Sequence, residues 1–124
     1  MRILIADDDV ALALQVASRL RAAGYDVVHA QDALQTWTAV LRNTPDLILL
    51  DLGMPGGTGV EVLRRLRGSP MTWKLPIVVV SGNEDPEVEK TVRSLGVQEY
   101  IRKPAPFERV LAAVESSLGA SSSR

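Results

Sequence analysis

Carboxylate, hydroxyl and ammonium side chains follow the short apolar runs of this sequence. Asp7 and Asp8 come after the first run, Asp51 after the third, Ser81 after the fourth and Lys103 after the fifth. Crowded carboxylates repel one another and need a cation, and oxygen ligands of this charge suit Mg²⁺. A lysine ammonium suits a phosphoryl oxygen, and an aspartate can attack phosphorus to form an aspartyl phosphate. These residue types predict a phosphorylation site, provided that the fold brings them together.

The apolar pattern predicts that these positions lie at one edge of a parallel sheet. Five short apolar runs are predicted strands: Ile3–Ala6, Val27–Ala30, Leu47–Leu50, Ile77–Val80 and Tyr100–Ile101. Helical patterns lie between them, so the sequence predicts an α/β fold with a doubly wound parallel sheet and right-handed crossovers. Ligand sites in such sheets lie outside the carboxyl ends of the strands. The candidate side chains would therefore converge.

The helical segments are expected to bury apolar residues spaced three or four positions apart. The predicted stripes are Val10, Ala13, Leu14 and Ala17; Leu34, Trp37 and Leu41; Val60, Leu63 and Leu66; Val88, Val92 and Leu95; and Phe107, Val110, Leu111, Val114 and Leu118. The fourth stripe is sparse, which predicts a lightly anchored helix ending near Gly96. Asp9 is the best candidate for capping the first helix. His29 is predicted to be a surface residue away from the site.

Composition predicts one globular domain in the cytoplasm. The 124 residues contain no cysteine and carry a net charge of -1, which excludes disulfides and thiolate metal sites and gives no basic field for direct nucleic-acid binding. No apolar run approaches the roughly 18 residues of a membrane span, and the start lacks a signal-peptide core. Residues 1–118 are the predicted domain, and 119–124 a polar, Ser-rich tail or the start of a linker.

Four stretches together resemble the receiver domain of the two-component response regulators. They are ILIADDD at 3–9, LILLDLGMPGGTG at 47–59, IVVVSG at 77–82 and YIRKP at 100–104. Each stretch alone is weak, whereas four in order over most of the chain are specific. The resemblance implies a flavodoxin-like (βα)5 fold of the CheY-like family with strand order 2-1-3-4-5.

The resemblance implies the phosphorylation and metal-binding residues. Asp51 resembles the phospho-accepting aspartate, and Asp8 resembles a direct Mg²⁺ ligand. Asp7 resembles the acidic neighbour that acts mainly through water, and the backbone carbonyl of Gly53 would be another metal ligand. In the family, the positions of Gly53 and Asn83 tune the lifetime of the phosphate.

The resemblance also implies switch residues. Ser81 resembles the hydroxyl that contacts the phosphoryl group. Lys103 resembles the lysine that pairs with that group, and Pro104 completes a Lys-Pro peptide that is often cis in the family. Tyr100 resembles the aromatic switch residue, which turns inward as the hydroxyl residue moves toward the phosphate.

The implied function is signal transduction by Mg²⁺-dependent phosphoryl transfer. A phosphohistidine on a sensor histidine kinase or phosphotransfer protein would donate to Asp51. The chain would catalyse its own phosphorylation and autodephosphorylation without being a conventional enzyme. Phosphorylation would switch the face built from the fourth helix, fifth strand and fifth helix, and so control an output domain, a partner or a homodimer. No membrane contact is expected.

Three alternatives stay open at this point. A degenerate receiver would bind partners independently of phosphorylation. A phosphatase resembling the haloacid dehalogenase superfamily would use the D-x-D spacing of Asp7 and Asp9 after the first strand. A nucleotide-binding module is suggested by the glycines at 53, 56, 57 and 59, although their spacing fits neither a dinucleotide fingerprint nor a P-loop.

Overall fold

Parallel strands alternate with helices along the whole described chain. The computed structural model describes residues 1–54 and 59–122. The strands are β1 (Arg2–Ala6), β2 (Asp26–Ala30), β3 (Leu47–Leu50), β4 (Ile77–Ser81) and β5 (Glu99–Arg102). The helices are α1 (Val10–Ala22), α2 (Ala33–Arg42), α3 (Gly59–Gly68), α4 (Pro86–Ser94) and α5 (Phe107–Ser122).

The five strands form one sheet in the order β2-β1-β3-β4-β5, and every pairing is parallel. This order confirms the predicted fold class and topology. The strand order reverses at β1 and β3, because β2 lies on one side of β1 and the later strands lie on the other. A crevice forms at such a reversal, outside the carboxyl ends of the strands.

The central strand β3 is buried on both faces of the sheet. None of its residues is more than 4% exposed. Leu47 and Leu49 belong to the apolar cluster that includes α1 and α5, whereas Ile48 and Leu50 belong to the cluster that includes α2, α3 and α4. Burial of a side chain of this size contributes roughly 1.5–3 kcal/mol. The apolar run therefore anchors the end of β3 firmly at the rim.

The apolar stripe predicted for α2 is wrong in two positions. Leu34 and Leu41 are 74% and 61% exposed, while Thr36 and Val40 are buried and Trp37 is partly buried. Thr36 tolerates burial because its hydroxyl donates to the Asp32 carbonyl over 2.8 Å. The buried position of α2 is thus occupied by a polar side chain whose hydroxyl is hydrogen-bonded, and not by one of the predicted leucines.

The stripe of α1 departs from the prediction in the same way. Val10 and Leu14 are 40% and 55% exposed, whereas Ala13 and Ala17 are buried. The apolar cluster on this face of the sheet therefore takes small side chains of α1 at these two positions. The predicted cap is confirmed, since Asp9 Oδ1 accepts from the Leu12 N–H over 3.1 Å.

The prediction of a lightly anchored fourth helix is confirmed. Val92 is the buried residue of α4, and Val88 and Leu95 are only partly buried. Gly96 follows the helix with a φ of +77°, a conformation that glycine adopts without the strain of a side chain.

The end of α5 lies beyond the predicted boundary. The helix continues past Leu118 to Ser122, and the division of the chain at residue 118 stays a prediction. The proline and glycines of GMPGG at 53–57 predict a non-helical path after Asp51, and residues 55–57 of this stretch lie outside the described residues. Among the helices that the structure describes, none combines the length and apolar composition that crossing a membrane requires.

Candidate functional site

The strands end at a common rim and bring the predicted site residues together there. The Asp51 N–H donates to the Ala6 carbonyl over 2.8 Å, which sets Asp51 beside Asp7. Ser81 is the last residue of β4, and its carbonyl accepts from the Lys103 N–H over 2.9 Å. Backbone hydrogen bonds between the strand ends therefore fix the spacing of the candidate side chains.

Three carboxylates gather at this rim. Asp7, Asp8 and Asp51 can each place one oxygen within 4.8 Å of the others. The side chains of Asp7 and Asp51 are 10% and 12% exposed, whereas Asp8 is exposed. Hard oxygen donors beside open solvent fit a small divalent cation that keeps several of its waters. The residues present therefore fit Mg²⁺.

The oxygens of Asp7 are already engaged. Its Oδ1 accepts from the Asp9 N–H over 2.9 Å, and its Oδ2 accepts from Lys103 Nζ over 2.8 Å. Asp8 and Asp51 consequently offer the more accessible ligand oxygens. This arrangement agrees with an indirect role for Asp7.

Lys103 lies between two carboxylates. Besides its bond to Asp7, its Nζ is 3.8 Å from Asp51 Oδ2. The peptide bond between Lys103 and Pro104 is cis, as the resemblance suggested. At 3.8 Å from Asp51 Oδ2, the ammonium group is available for an additional oxygen at this position.

The charge of Asp51 is incompletely balanced. Burial raises the pKa of Asp51 above its ordinary value, and the negative charges of Asp7 and Asp8 raise that pKa further. Lys103 and the N–H of Gly53 act in the opposite direction. The net rise means that the ionised carboxylate gains from a further positive charge, such as a bound divalent cation.

The segment after Asp51 is tied to the core. Leu52 and Met54 are 5% and 4% exposed, and the sulfur of Met54 lies 3.8 Å from the Thr36 hydroxyl. The Gly59 N–H then donates to the Leu52 carbonyl over 2.9 Å. Sequence analysis missed these two anchors, because apolar residues outside strands and helices have no periodicity to reveal their burial.

Gly59 lies against the backbone that carries Asp51. A Cβ atom at this position would be 2.5 Å from Leu52 Cα and 2.6 Å from the Asp51 carbonyl oxygen. Only glycine permits this approach. Gly59 is the first residue of α3, and its approach packs α3 against the residues after β3.

The role predicted for the Gly53 carbonyl rests on the resemblance. The Gly53 N–H is 3.4 Å from Asp51 Oδ1, a long contact. A Cβ at this position would be 3.9 Å from Asp51 Oδ2. The absence of a side chain here therefore leaves space beside the carboxylate.

Ser81 and Tyr100 share contacts with the segment after β4. Ser81 is 2% exposed, and its Oγ accepts from the Asn83 N–H over 3.1 Å. Tyr100 is 6% exposed, and its hydroxyl donates to the Asn83 carbonyl over 3.3 Å. Burial raises the pKa of the Tyr100 hydroxyl, while a hydrogen bond with Ser81 acts to lower it. Both members of the predicted switch pair are therefore buried and bonded to Asn83, with the aromatic ring turned inward.

The prediction that His29 is a surface residue away from the site is wrong. Its ring is partly buried, and Nε2 lies 2.8 Å from the Asp7 carbonyl oxygen. The position at the end of β2 could have signalled this contact, because β2 pairs with the strand that precedes Asp7.

Comparison with known families settles the membership of the chain. Residues 3–115 match the family model of the response regulator receiver domain. The chain belongs to this family. Family membership and strand order confirm the resemblance and favour the receiver over the phosphatase and nucleotide-binding alternatives.

Relatives of this receiver domain include two bacterial regulators. The chain is 33% identical over 118 residues to the phosphate regulon transcriptional regulatory protein PhoB of Pseudomonas aeruginosa, covering 94% of the chain and 51% of PhoB. It is 37% identical over 117 residues to the DNA-binding response regulator MtrA of Mycobacterium tuberculosis, covering 94% of the chain and 50% of MtrA. The chain therefore spans about half the length of these relatives.

A solved structure has the same fold as this receiver domain. The BeF3-activated N-terminal receiver domain of RstA from Klebsiella pneumoniae superposes with a TM-score of 0.86 at 29% identity. The match covers 95% of this chain and 98% of that one. The likeness thus extends over nearly the entire described fold.

Proposed function

We propose that Asp51 of this receiver domain accepts a phosphoryl group in a two-component pathway. The observation that carries this proposal is the position of the Asp51 carboxylate, which lies at the rim between an acidic cluster and the Lys103 ammonium, 3.8 Å away. The donor is the phosphohistidine of a sensor histidine kinase or phosphotransfer protein. An Asp carboxylate is a competent nucleophile toward phosphorus.

We further propose that Mg²⁺ is the cation of the acidic cluster. Asp8, Asp51 and the Gly53 carbonyl would hold the ion directly, and Asp7 would act through water. A bound Mg²⁺ would supply positive charge beside the phosphoryl oxygens. Asp7 also holds Lys103 in place by the 2.8 Å bond.

The transfer step exchanges one bond to phosphorus for another. An Asp51 oxygen attacks the phosphorus in line with the histidine nitrogen. The P–O bond to Asp51 forms as the P–N bond breaks, and the electron pair of that bond returns to the imidazole. Lys103 and Ser81 contact the phosphoryl oxygens, so that preorganised donors offset their charge.

Hydrolysis of the acyl phosphate returns the domain to its starting state. Water attacks the phosphorus and releases phosphate and the Asp51 carboxylate. The space beside Gly53 leaves this approach open, because a side chain there would begin 3.9 Å from Asp51 Oδ2. The domain thus promotes both its phosphorylation and its dephosphorylation.

Phosphorylation would shift the surface formed by α4, β5 and α5. The acyl phosphate carries roughly two negative charges where the carboxylate carried one. New hydrogen bonds from Ser81 to the phosphoryl group would displace the segment at Asn83, which also contacts Tyr100. The helix α4 that follows is held by few buried residues. A two-state equilibrium at this face would control an output domain, a partner or a homodimer in the cytoplasm.

Labelling by acetyl phosphate tests the proposal directly. Wild-type protein should acquire one acid-stable, hydroxylamine-sensitive phosphoryl group in the presence of Mg²⁺ and lose the labelling on chelation. Asp51→Asn should abolish it. Asp32→Asn is the matched control, because Asp32 caps α2 by accepting from the Gln35 N–H over 2.7 Å and asparagine caps equally well.

The alternatives give different results in the same experiment. Labelling that persists in Asp51→Asn and disappears in Asp7→Asn would favour the phosphatase-like site. A wild-type protein that binds its partner but takes no label from acetyl phosphate or from a phosphorylated kinase would favour the degenerate receiver.

A further inference from the structure

The geometry points to His29 as a positioning residue for the acidic loop that would hold Mg²⁺. The side chain of His29 reaches from β2 to the segment after β1, where Nε2 lies 2.8 Å from the carbonyl oxygen of Asp7. This inference rests on the proposed metal site and assigns the residue that fixes its backbone.

The chemistry of the contact defines the state of the ring. A carbonyl oxygen can only accept a hydrogen bond, so Nε2 must carry the proton and donate. The second ring nitrogen, Nδ1, is then free to accept in the neutral form. The contact therefore specifies one tautomer, which can be measured in the wild-type protein.

The first backbone donor after β2 is turned away from the Asp7 carbonyl. β2 ends at Ala30, whose carbonyl accepts from the Asp7 N–H over 3.0 Å. The next N–H, that of Gln31, donates to Gln35 Oε1 over 2.9 Å as the chain enters α2. Among the described residues, His29 is consequently the one donor recorded for the Asp7 carbonyl.

With His29 in place, every polar group of Asp7 has a partner. Its N–H is held by Ala30, Oδ1 by the Asp9 N–H, Oδ2 by Lys103 and the carbonyl by His29. Asp7 is thus fixed at four points. Removal of the histidine would leave a poorly exposed carbonyl without a donor and free the peptide that leads to Asp8.

The consequence falls on Asp8, the exposed member of the acidic cluster. Asp8 has no fixed side-chain partner among the described residues, so its direction depends on the Asp7–Asp8 peptide. His29 fixes one end of that peptide by its carbonyl. Outer partners that orient metal ligands typically change metal affinity by about 10- to 100-fold when they are removed.

Two substitutions separate the hydrogen bond from the bulk of the ring. His29→Leu keeps an apolar side chain of similar size but removes the donor. His29→Gln places an amide nitrogen the same number of bonds from Cα as Nε2 of histidine. Val28→Ala is the control, because Val28 is the neighbouring residue of β2, is 40% exposed and has an apolar side chain that cannot donate to Asp7.

Mg²⁺ titration of the full chain, followed by ¹H–¹⁵N NMR of the rim amides, measures affinity without any turnover. We expect His29→Leu to raise the half-saturating Mg²⁺ concentration about tenfold, and His29→Gln to remain within about threefold of wild type. Val28→Ala should bind Mg²⁺ as wild type does, even if it lowers the melting temperature.

Three outcomes would overturn the inference. The first is an unchanged Mg²⁺ affinity in His29→Leu, and the second is an equal loss in His29→Gln and His29→Leu. The third is a neutral wild-type ring protonated on Nδ1 alone in long-range ¹H–¹⁵N spectra, a result that needs no variant to fold. Failure of wild-type protein to bind Mg²⁺ would instead contradict the proposed metal site itself and remove the basis for the inference.

Discussion

Lys103 Nζ donates a 2.8 Å hydrogen bond to Asp7 Oδ2 and so joins the end of β5 to the segment after β1. Asp51 follows β3, which lies between β1 and β5 in the sheet, and its Oδ2 is 3.8 Å from the same nitrogen. The ammonium group is therefore bound to one carboxylate while it remains close to the second. A short movement would bring it to a phosphoryl oxygen on Asp51.

Lys103→Ala should lower the rate of labelling by acetyl phosphate about 10²-fold, because a preorganised donor to the phosphoryl group is lost. Stopped-flow fluorescence or timed quenching with labelled donor would measure the rate. Lys74→Ala is the control, since Lys74 is exposed and packs over the Trp73 ring outside the site. An unchanged rate in Lys103→Ala would contradict a direct contact with the phosphoryl group.

Asp51→Asn should raise the melting temperature at neutral pH. The folded-state pKa of Asp51 is raised mainly by burial, so the folded state binds the proton more tightly than the unfolded chain does and ionisation destabilises the fold. The difference in melting temperature between the variant and wild type should shrink as the pH falls through the raised pKa of Asp51. It should vanish below the ordinary pKa of an aspartate. Melting curves between pH 7.5 and pH 3.5 test this, and a lower melting temperature of the variant at pH 7.5 would refute it.

Gly59→Ala should lower the free energy of unfolding by about 2–3 kcal/mol, because its Cβ would overlap backbone atoms that cannot rotate away. Gly68→Ala, at the other end of α3, meets nothing within 4 Å and should be neutral or stabilising by about 0.5 kcal/mol. Urea unfolding compares the two. Equal free energies of unfolding for the two variants would show that the backbone of Asp51 and Leu52 can shift to admit the added Cβ.

Tyr100→Phe should cost about 0.5–1.5 kcal/mol of unfolding free energy, since the ring stays buried but its bond to the Asn83 carbonyl is lost. Amide exchange in the segment before α4 should accelerate. Tyr25→Phe is the matched control, because the Tyr25 hydroxyl makes no hydrogen bond among the described residues. Identical exchange rates in the two variants would argue against a coupling of Tyr100 to that segment.

Much of the fold was predictable because buried strands leave a strong signal. The apolar residues Leu47–Leu50 can be satisfied only by burial on both faces, and the residues after each strand then share a rim. The grouping of Asp7, Asp51 and Lys103 follows from this topology without knowledge of side-chain contacts. The capping role of Asp9 was equally local and equally predictable.

The errors arose where packing depends on fit between distant elements. On α2, Val40 and the hydrogen-bonded Thr36 are buried, whereas the larger apolar side chains of Leu34 and Leu41 are exposed. The contact of His29 joins a side chain to a backbone carbonyl 22 positions away. Neither outcome is encoded in the periodicity of a single segment.

The strand β5 connects Lys103 at the rim to Tyr100, and its length sets the distance between the two residues. Tyr100 lies within β5, and Lys103 follows directly after its last residue. At about 3.3 Å per residue, roughly 10 Å of extended backbone separates the two. A charge added at Asp51 would therefore act near one end of a short extended strand, and the aromatic ring lies near its other end. The response would then pass along the backbone of β5 and would need no chain of side-chain contacts through the core.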